Sequence, residues 1–477
     1  MAVRLPTRRE LIKGLGGLAA AGVTARLHAA PERTDVVIIG AGLAGLNAAL
    51  LLSDAGADVK VLEAGSRVGG RVHTADQWPH RPELGASQVG PLYGRVRDAA
   101  GRFDIALVPY PVQSEPYAFA VGGQLIAASD WAESPLNKTV GEERAVPPHA
   151  LLPFYVAGHN PLTRIDDWFQ PGAAEFDIAA ADWLRQQGAS TEAMRLMNAG
   201  LVADDLGRVS LLTILQESMR LQMAISAAVT AERAESRTVR VVGGTSRLPE
   251  AMAAHLGDRV HLNQAVAGIR MDGSSVDVTT ADGQRYVSNF VIAAVPFVSL
   301  RNISIEPQMT GVQAEAVARM PYGNTSLVFF ALKDGGNYWE QDGLEPSLWT
   351  DGTVSMFRKM TGKSLLTAVN AGPKADTLDR LPPTERGAFV RAEMERLRPS
   401  TRGRVEFIGA HSWRQAPFIM GCRHSYAPGD VSRFVPAMFQ PHQRLHFAGE
   451  HTRLLEMGME SAMESGERAA VEILAGG

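Results

Sequence analysis

Cysteine is almost absent from this 477-residue chain, with Cys422 the single one. That excludes an internal disulfide framework and any metal site built on paired cysteines. Aromatic residues are scarce at 6%. No lysine- or arginine-rich block occurs and the formal net charge is only −4, so nucleic-acid binding lacks its electrostatic footprint. No uninterrupted apolar run reaches the roughly 18 residues of a membrane-spanning helix. Internal repeats, low-complexity tracts and coiled-coil heptads are also missing. Glycine, by contrast, is abundant at 47 residues, which points to tight turns and close backbone approaches. With 45% hydrophobic and 21% charged residues, the composition is that of a globular chain able to bury a large core. The length suits two or three domains of about 150 residues each.

The strongest local pattern begins at Asp35. Asp35-Val36-Val37-Ile38-Ile39 is a short apolar run, as a parallel strand covered on both faces requires. Gly40-Ala41-Gly42-Leu43-Ala44-Gly45 follows, then an alanine- and leucine-rich helix to about Ala55. A second strand, Asp58-Val59-Lys60-Val61-Leu62, ends at Glu63. In such a unit Gly40 permits the turn, Gly42 lets the backbone reach a pyrophosphate, and Gly45 lets the helix pack on the strand. The helix N-terminus offers unpaired N–H groups and its positive dipole end to the phosphates. Glu63 is placed to accept hydrogen bonds from an adenosine ribose. The bland alternative is a glycine-rich turn that binds nothing.

Residues 1–30 read as an address rather than as fold. Thr7-Arg8-Arg9-Glu10-Leu11-Ile12-Lys13 precedes a mildly apolar stretch from Gly14 to Val23, a charged region followed by a hydrophobic one. It resembles the twin-arginine signal, which exports proteins already folded around a cofactor. That implies a periplasmic or secreted protein; an attached amphipathic helix on a cytoplasmic protein is the alternative. Neither Leu27-His28-Ala29 nor His28-Ala29-Ala30 is a clean cleavage triplet.

Downstream of the ribose-binding acid, Glu63-Ala64-Gly65-Ser66-Arg67-Val68-Gly69-Gly70-Arg71 adds a second glycine pair and two arginines. This resembles the FAD-binding signature of the flavin amine oxidase superfamily, which includes monoamine, polyamine and L-amino acid oxidases. Further matches recur in order. Glu83-Leu84-Gly85-Ala86-Ser87-Gln88-Val89-Gly90-Pro91 resembles the loop that passes the flavin ring, with Ala86 and Ser87 at the cofactor. Val241-Val242-Gly243-Gly244-Thr245 and Leu256-Gly257-Asp258-Arg259-Val260 resemble the return into the FAD domain, and Val266 falls where the family lays a valine on the adenine. Asn289-Phe290-Val291-Ile292-Ala293-Ala294-Val295-Pro296 resembles the exit strand. Leu445-His446-Phe447-Ala448-Gly449-Glu450 and the helix from Met459 to Arg468 resemble the C-terminal flavin contacts; the helix would aim its positive end at the anionic reduced ring.

The resemblance implies an α/β and α+β fold. A Rossmann-type FAD-binding domain would take residues 32–92, 238–300 and 430–477. A discontinuous substrate domain, mixed sheet plus helices, would take 93–237 and 301–429. Met194, Met197, Met219 and Met223 lie at roughly helical spacing in the stretch 174–233 and read as core packing.

The family oxidises the C–H bond beside a neutral amine nitrogen, passes hydride equivalents to flavin N5, and releases an imine that hydrolyses. The protein supplies orientation and electrostatics, and an apolar pocket favours the uncharged amine. The implied cofactor is FAD and the implied partners are a small-molecule amine and oxygen or a periplasmic electron carrier; a homodimer stays open. Three positions depart from the family pattern. Arg301 stands where a lysine holds a water near N5; its fork can orient water or a substrate carboxylate, or it is a surface residue at a strand end. Gly458 and Arg423 fall at the two tyrosines that sandwich the amine, which widens one side and makes the other cationic. Gln88 falls where animal-type L-amino acid oxidases have a carboxylate-clamping arginine.

Trp413 resembles the tryptophan before the flavin-contacting loop. His424 and Tyr426 are as readily packed as ligand-facing, and Tyr338 and Trp339 are candidates for the entrance. Cys422, nine residues after Trp413, resembles the cysteine that monoamine oxidases join to the 8α-methyl of FAD, with Arg423 beside it to lower the thiol pKa. Noncovalent FAD with a cysteine nearby is the alternative. The sequence thus reads as an FAD-dependent amine oxidase or dehydrogenase. Its rivals are an L-amino acid oxidase anchored by Arg423 or Arg301, and an inactive flavin-binding scaffold.

Overall fold

The computed structural model describes residues 31–110, 116–200, 205–230, 237–333 and 336–476, so the expected export signal lies outside the described residues. The chain opens with the expected unit: strand β1 (Glu32–Ile39), helix α1 (Leu43–Asp54) and strand β2 (Val59–Leu62). Val36, Val37, Ile38, Val59 and Val61 are sealed from solvent, because a parallel sheet covered on both faces has no polar side. β1 pairs in parallel with β2 and with β3 (Arg285–Ala293). The eight-stranded sheet runs Ser304–Glu306, Val266–Met271, Val276–Thr280, β3, β1, β2, Val260–His261, with Leu445–Phe447 also parallel to β3. Three separate stretches of chain build it, and its edge strand Ser304–Glu306 carries it past residue 300.

In a second, seven-stranded sheet β4 (Thr325–Leu332) is second from one edge, between the edge strand β5 (Val405–Ser412) and Leu365–Ala371. Its pairings are antiparallel except that Tyr117–Val121 joins Ser347–Thr350 in parallel. Side chains alternate across a strand, and β4 uses both faces. Val328 and Phe330 pack with Val390 and Met394 of the helix Pro383–Leu397. Leu327 and Phe329 point to the opposite face and line a large cavity.

The helical stretch is built from Ala180–Gln186, Thr191–Gly200 and α2 (Leu211–Thr230). Met194 and Met197 are buried and Met219 packs against the same core. Met223 departs from the core reading at 43% exposure, since the second half of α2 also leaves Leu221, Ile225 and Val229 in solvent. Helix α3 (Gly311–Arg319) packs on Asp430–Met438. The last helix, α4 (Gly458–Gly476), lies against α1 so closely that a Cβ on Gly466 would fall 2.2 Å from the Ala44 carbonyl oxygen. No helix among the described residues is long and apolar enough to cross a membrane.

Candidate active site

Between the two sheets lies a cavity of about 1530 Å³, larger than an ordinary small-molecule site of roughly 300–1,000 Å³. One end is the glycine turn. Gly40 takes φ +102, and a Cβ there would meet Ala294 O and Val295 Cγ1 at 3.0 Å. A Cβ on Gly45 would lie 2.0 Å from the Gly40 carbonyl oxygen, so only glycine lets α1 start this close to the strand. Gly42 is different: a Cβ there meets nothing within 4 Å and projects into the cavity it lines. The first two sites are closed by protein. The third is an open cradle at a helix N-terminus, the arrangement a pyrophosphate requires.

Glu63 closes this end. Its Oε2 accepts the Ala41 N–H and its Oε1 the Gly65 N–H, each at 2.8 Å, while the carboxylate faces the cavity. Arg67 braces the second glycine pair from within, donating to the carbonyls of Gly70 at 2.7 Å, Val68 at 3.1 Å and Val72 at 3.3 Å. Gly69 N–H donates to Ala41 O at 2.8 Å and joins the two glycine loops. Gly70, Ala86, Ser87, Val266, Gly449 and Met459 all reach the cavity wall.

The other end is ionic. Arg71 donates to the Cys422 carbonyl at 2.8 Å and to Glu450 Oε2 at 3.2 Å. His424 donates Nδ1–H to the same carboxylate oxygen at 3.0 Å. Burial alone would raise the Glu450 carboxyl, but His424, Arg71 and Arg453 hold it well below the usual range. Arg423 lines the neighbouring wall, and behind it Glu217, from α2, accepts from Arg423 and also from Arg453 at 3.1 Å. Arg220 pairs with Glu456. Met457, Gly458, Met459 and Ala462 at the start of α4 border this end, so the helix presents its positive end to the cavity.

Trp413 is buried against the same space. Its Nε1–H donates to Leu84 O at 2.8 Å, and its ring occupies the place where a Cβ on Gly85 would fall, 2.9 Å from Cζ2. It therefore fixes the loop that carries Ala86 and Ser87. Gln88 sits on that loop but does not line the cavity. Arg301 also stays outside it: its guanidinium donates to Val317 O and Met320 O, both at 2.7 Å, and closes the C-terminus of α3. Arg301 is expected to orient water or substrate, but here its fork is taken by carbonyls at a helix end that lack intrahelical partners. Cys422 lines the cavity, but burial pushes its thiol up and outweighs the opposing pull of Thr325, Arg71 and Arg423. Arg423 does not win that balance as expected. Tyr426 is enclosed in the core, and Tyr338 donates to Pro346 O away from the cavity. Neither it nor Trp339 forms an entrance there.

Several cavity residues escaped the sequence reading. Glu83 accepts from Thr245 N–H and Thr74 Oγ1–H, both at 2.9 Å, and ties two loops together. His73 and His411 line the wall with ring centroids 6.2 Å apart. Each has a buried ring nitrogen without a hydrogen-bond partner, and burial lowers both to a pKa of about 4. Tyr93 reaches the wall beside Gly458. Only spacing could have flagged it, three residues after Gly90 at a helix start.

Comparison with known proteins agrees with this geometry. The chain is 28% identical over 481 residues to the flavin-containing amine oxidase B of Bos taurus, spanning 93% of this chain and 86% of that one. It is 24% identical over 471 residues to an L-amino-acid oxidase of Bothrops moojeni, covering 93% and 89%. A solved structure of a putrescine oxidase variant, from a redesign of cofactor binding, superposes with a TM-score of 0.75 at 24% identity, covering 94% of this chain and all of that one. The family model described as flavin containing amine oxidoreductase matches residues 43–474. The chain therefore belongs to that family and is an FAD-dependent enzyme that oxidises amines.

Proposed function

We propose that the preferred substrate is an amine that carries no carboxylate beside its nitrogen. The commitment of the two candidate anchors carries this reading: Arg301 is spent on the α3 carbonyls and Arg423 on Glu217. A carboxylate would have to displace Glu217, an equal charge already in place. FAD bound in the cavity supplies the hydride acceptor. The chain's own residues do the rest. The glycine turn and Glu63 hold the dinucleotide end, and Trp413 fixes the loop along the wall. Leu327, Phe329 and Ile419 give the cavity an apolar face that favours the uncharged amine over the ammonium. Neutral amine is the reactive form because its lone pair assists loss of hydride from the adjacent carbon.

Phenylethylamine and L-phenylalanine share a skeleton and differ by the carboxylate, so their rates of anaerobic flavin bleaching test this directly. Faster bleaching by the amine is expected; bleaching by the amino acid alone overturns it. One observation favours the second reading, an L-amino acid oxidase. Glu217 serves both Arg423 and Arg453, which leaves that wall one positive charge in excess.

Two finer features complete the proposal. Cys422, on the cavity wall, is the side chain for a thioether to the 8α-methyl of FAD, in which the thiol S–H and one methyl C–H would be lost and the two electrons would pass to the flavin and on to oxygen; a yellow pellet after acid precipitation supports it and a colourless one refutes it. Arg8 and Arg9 direct export of the folded holoenzyme, with oxygen or an electron carrier as the final acceptor. Replacing both arginines by lysine is expected to retain folded, flavin-loaded protein in the cytoplasm.

A further inference from the structure

Helix α4 begins at Gly458 with φ +60, a left-handed conformation that side chains resist. A Cβ built there would lie 2.8 Å from the Tyr93 hydroxyl oxygen, so that hydroxyl fills the space any other residue would need. On its other side the ring meets Gly90, whose Cβ would stand 3.4 Å from Tyr93 Cδ1 and Cε1. The loop under the ring is fixed. Tyr93 N–H donates to Gly90 O at 3.2 Å, and Arg97 Nε and Nη2 donate to the same carbonyl at 3.1 and 3.0 Å. Two glycines thus bracket one aromatic ring at the cavity wall, beside Arg423 and the start of α4.

The hydroxyl is the second observation. Arg220, Glu460, Glu450 and Arg423 are close enough to act on it by charge, but among the described residues none makes a hydrogen bond to it. A tyrosine held this firmly, with its polar end unengaged and facing a cavity, has capacity reserved for a ligand. We propose that Tyr93 is the substrate-facing aromatic wall of the amine site and that Gly458 is its permissive partner. The ring packs against the apolar body of the amine next to the reacting C–H, and the hydroxyl is free to bond a polar group on the substrate. This rests on amine oxidation at the same cavity. It adds a specificity determinant that comes from the start of the helix Gly94–Arg102 rather than from the last helix.

The test uses the FAD-loaded enzyme and two probes. Benzylamine reports turnover through anaerobic bleaching. Its α,α-dimethyl analogue has no C–H beside nitrogen, cannot be oxidised, and reports binding alone through the shift in flavin absorbance. Tyr93→Leu, which removes the ring but keeps apolar bulk, is expected to weaken analogue binding about three- to tenfold, the range of a lost aromatic contact. The KM for benzylamine should rise by the same factor, with FAD content unchanged. Tyr93→Phe should bind the analogue within about twofold of wild type, since it keeps the ring. Gly458→Ala should weaken binding in the wild-type background but add nothing to Tyr93→Leu, because the ring it would displace is already gone. Unchanged analogue binding in Tyr93→Leu overturns the proposal, as does an equal cost of Gly458→Ala in both backgrounds. A wild-type flavin that no amine bleaches contradicts amine oxidation itself, whereas wild-type bleaching with an indifferent Tyr93→Leu contradicts only the role of Tyr93.

Discussion

Gly42→Val separates binding from folding, because the structure gives the three glycines of the turn different surroundings. Gly42 has φ −76 and ψ 176, extended backbone that valine adopts without strain. Its Cβ would meet no protein atom within 4 Å. The apoprotein should therefore change little: valine is a poorer N-cap than glycine but loses less chain entropy on folding, opposing effects of about 0.5–1 kcal/mol each. FAD suffers differently. Two methyl groups in the cradle push the pyrophosphate from the helix N-terminus and cost at least two charge-assisted hydrogen bonds of about 1.5–3 kcal/mol each. Affinity should fall about 10²- to 10⁴-fold. Gly45→Ala is the control. Its Cβ would lie 2.0 Å from a backbone oxygen, so α1 must retreat, and stability should drop by about 1–3 kcal/mol. The assay is FAD retained per protein, with the apoprotein melting temperature, in a Cys422→Ala background so that no tether masks the loss. A Gly42→Val protein that retains full FAD with near-parental affinity refutes the assignment of the cradle.

Other outcomes follow from the charged wall and the histidines. Glu217→Gln leaves Arg453, 1% exposed, without its anion. Unfolding titrations should show a loss of about 3–5 kcal/mol, while the KM for carboxylate-bearing substrates falls because Arg423 is released. Unchanged stability and substrate preference contradict the shared pair. His73 and His411 are held down to a pKa of about 4 by burial, below the unfolded value of about 6.5. The unfolded chain therefore takes up protons first, and stability present above about pH 6.5 is lost as pH falls toward about 4. Melting temperatures should decline over that window in wild type and less steeply in His411→Phe; parallel profiles refute it.

The cofactor end was legible because its chemistry is local. Gly40, Gly42, Gly45 and Glu63 sit within one strand–helix–strand unit, and a phosphate cradle needs glycine for reasons of space that sequence order preserves. The ionic end was not. Glu217 meets Arg423 across 206 residues of chain and Arg71 meets Glu450 across 379, and no periodicity encodes such pairings. The surroundings of Arg301 are not legible in sequence, because a lone arginine after a strand looks alike whether it faces a ligand or the carbonyls of a helix end. Cys422 stands out by its spacing from Trp413, but the effect of Arg423 on its thiol is not legible, because burial in a cavity wall assembled from distant loops outweighs one adjacent charge. Met223 keeps the helical spacing of its buried neighbours, yet it lies with Leu221, Ile225 and Val229 on an exposed side of α2, which spacing alone does not reveal.

Anaerobic mixing of the purified yellow protein with phenylethylamine is the most direct measurement. Loss of the oxidised-flavin absorbance, with one phenylacetaldehyde formed per flavin after hydrolysis of the imine, is the expected result. A flavin that stays oxidised through that amine and through benzylamine, cyclohexylamine and putrescine would contradict amine oxidation at this cavity.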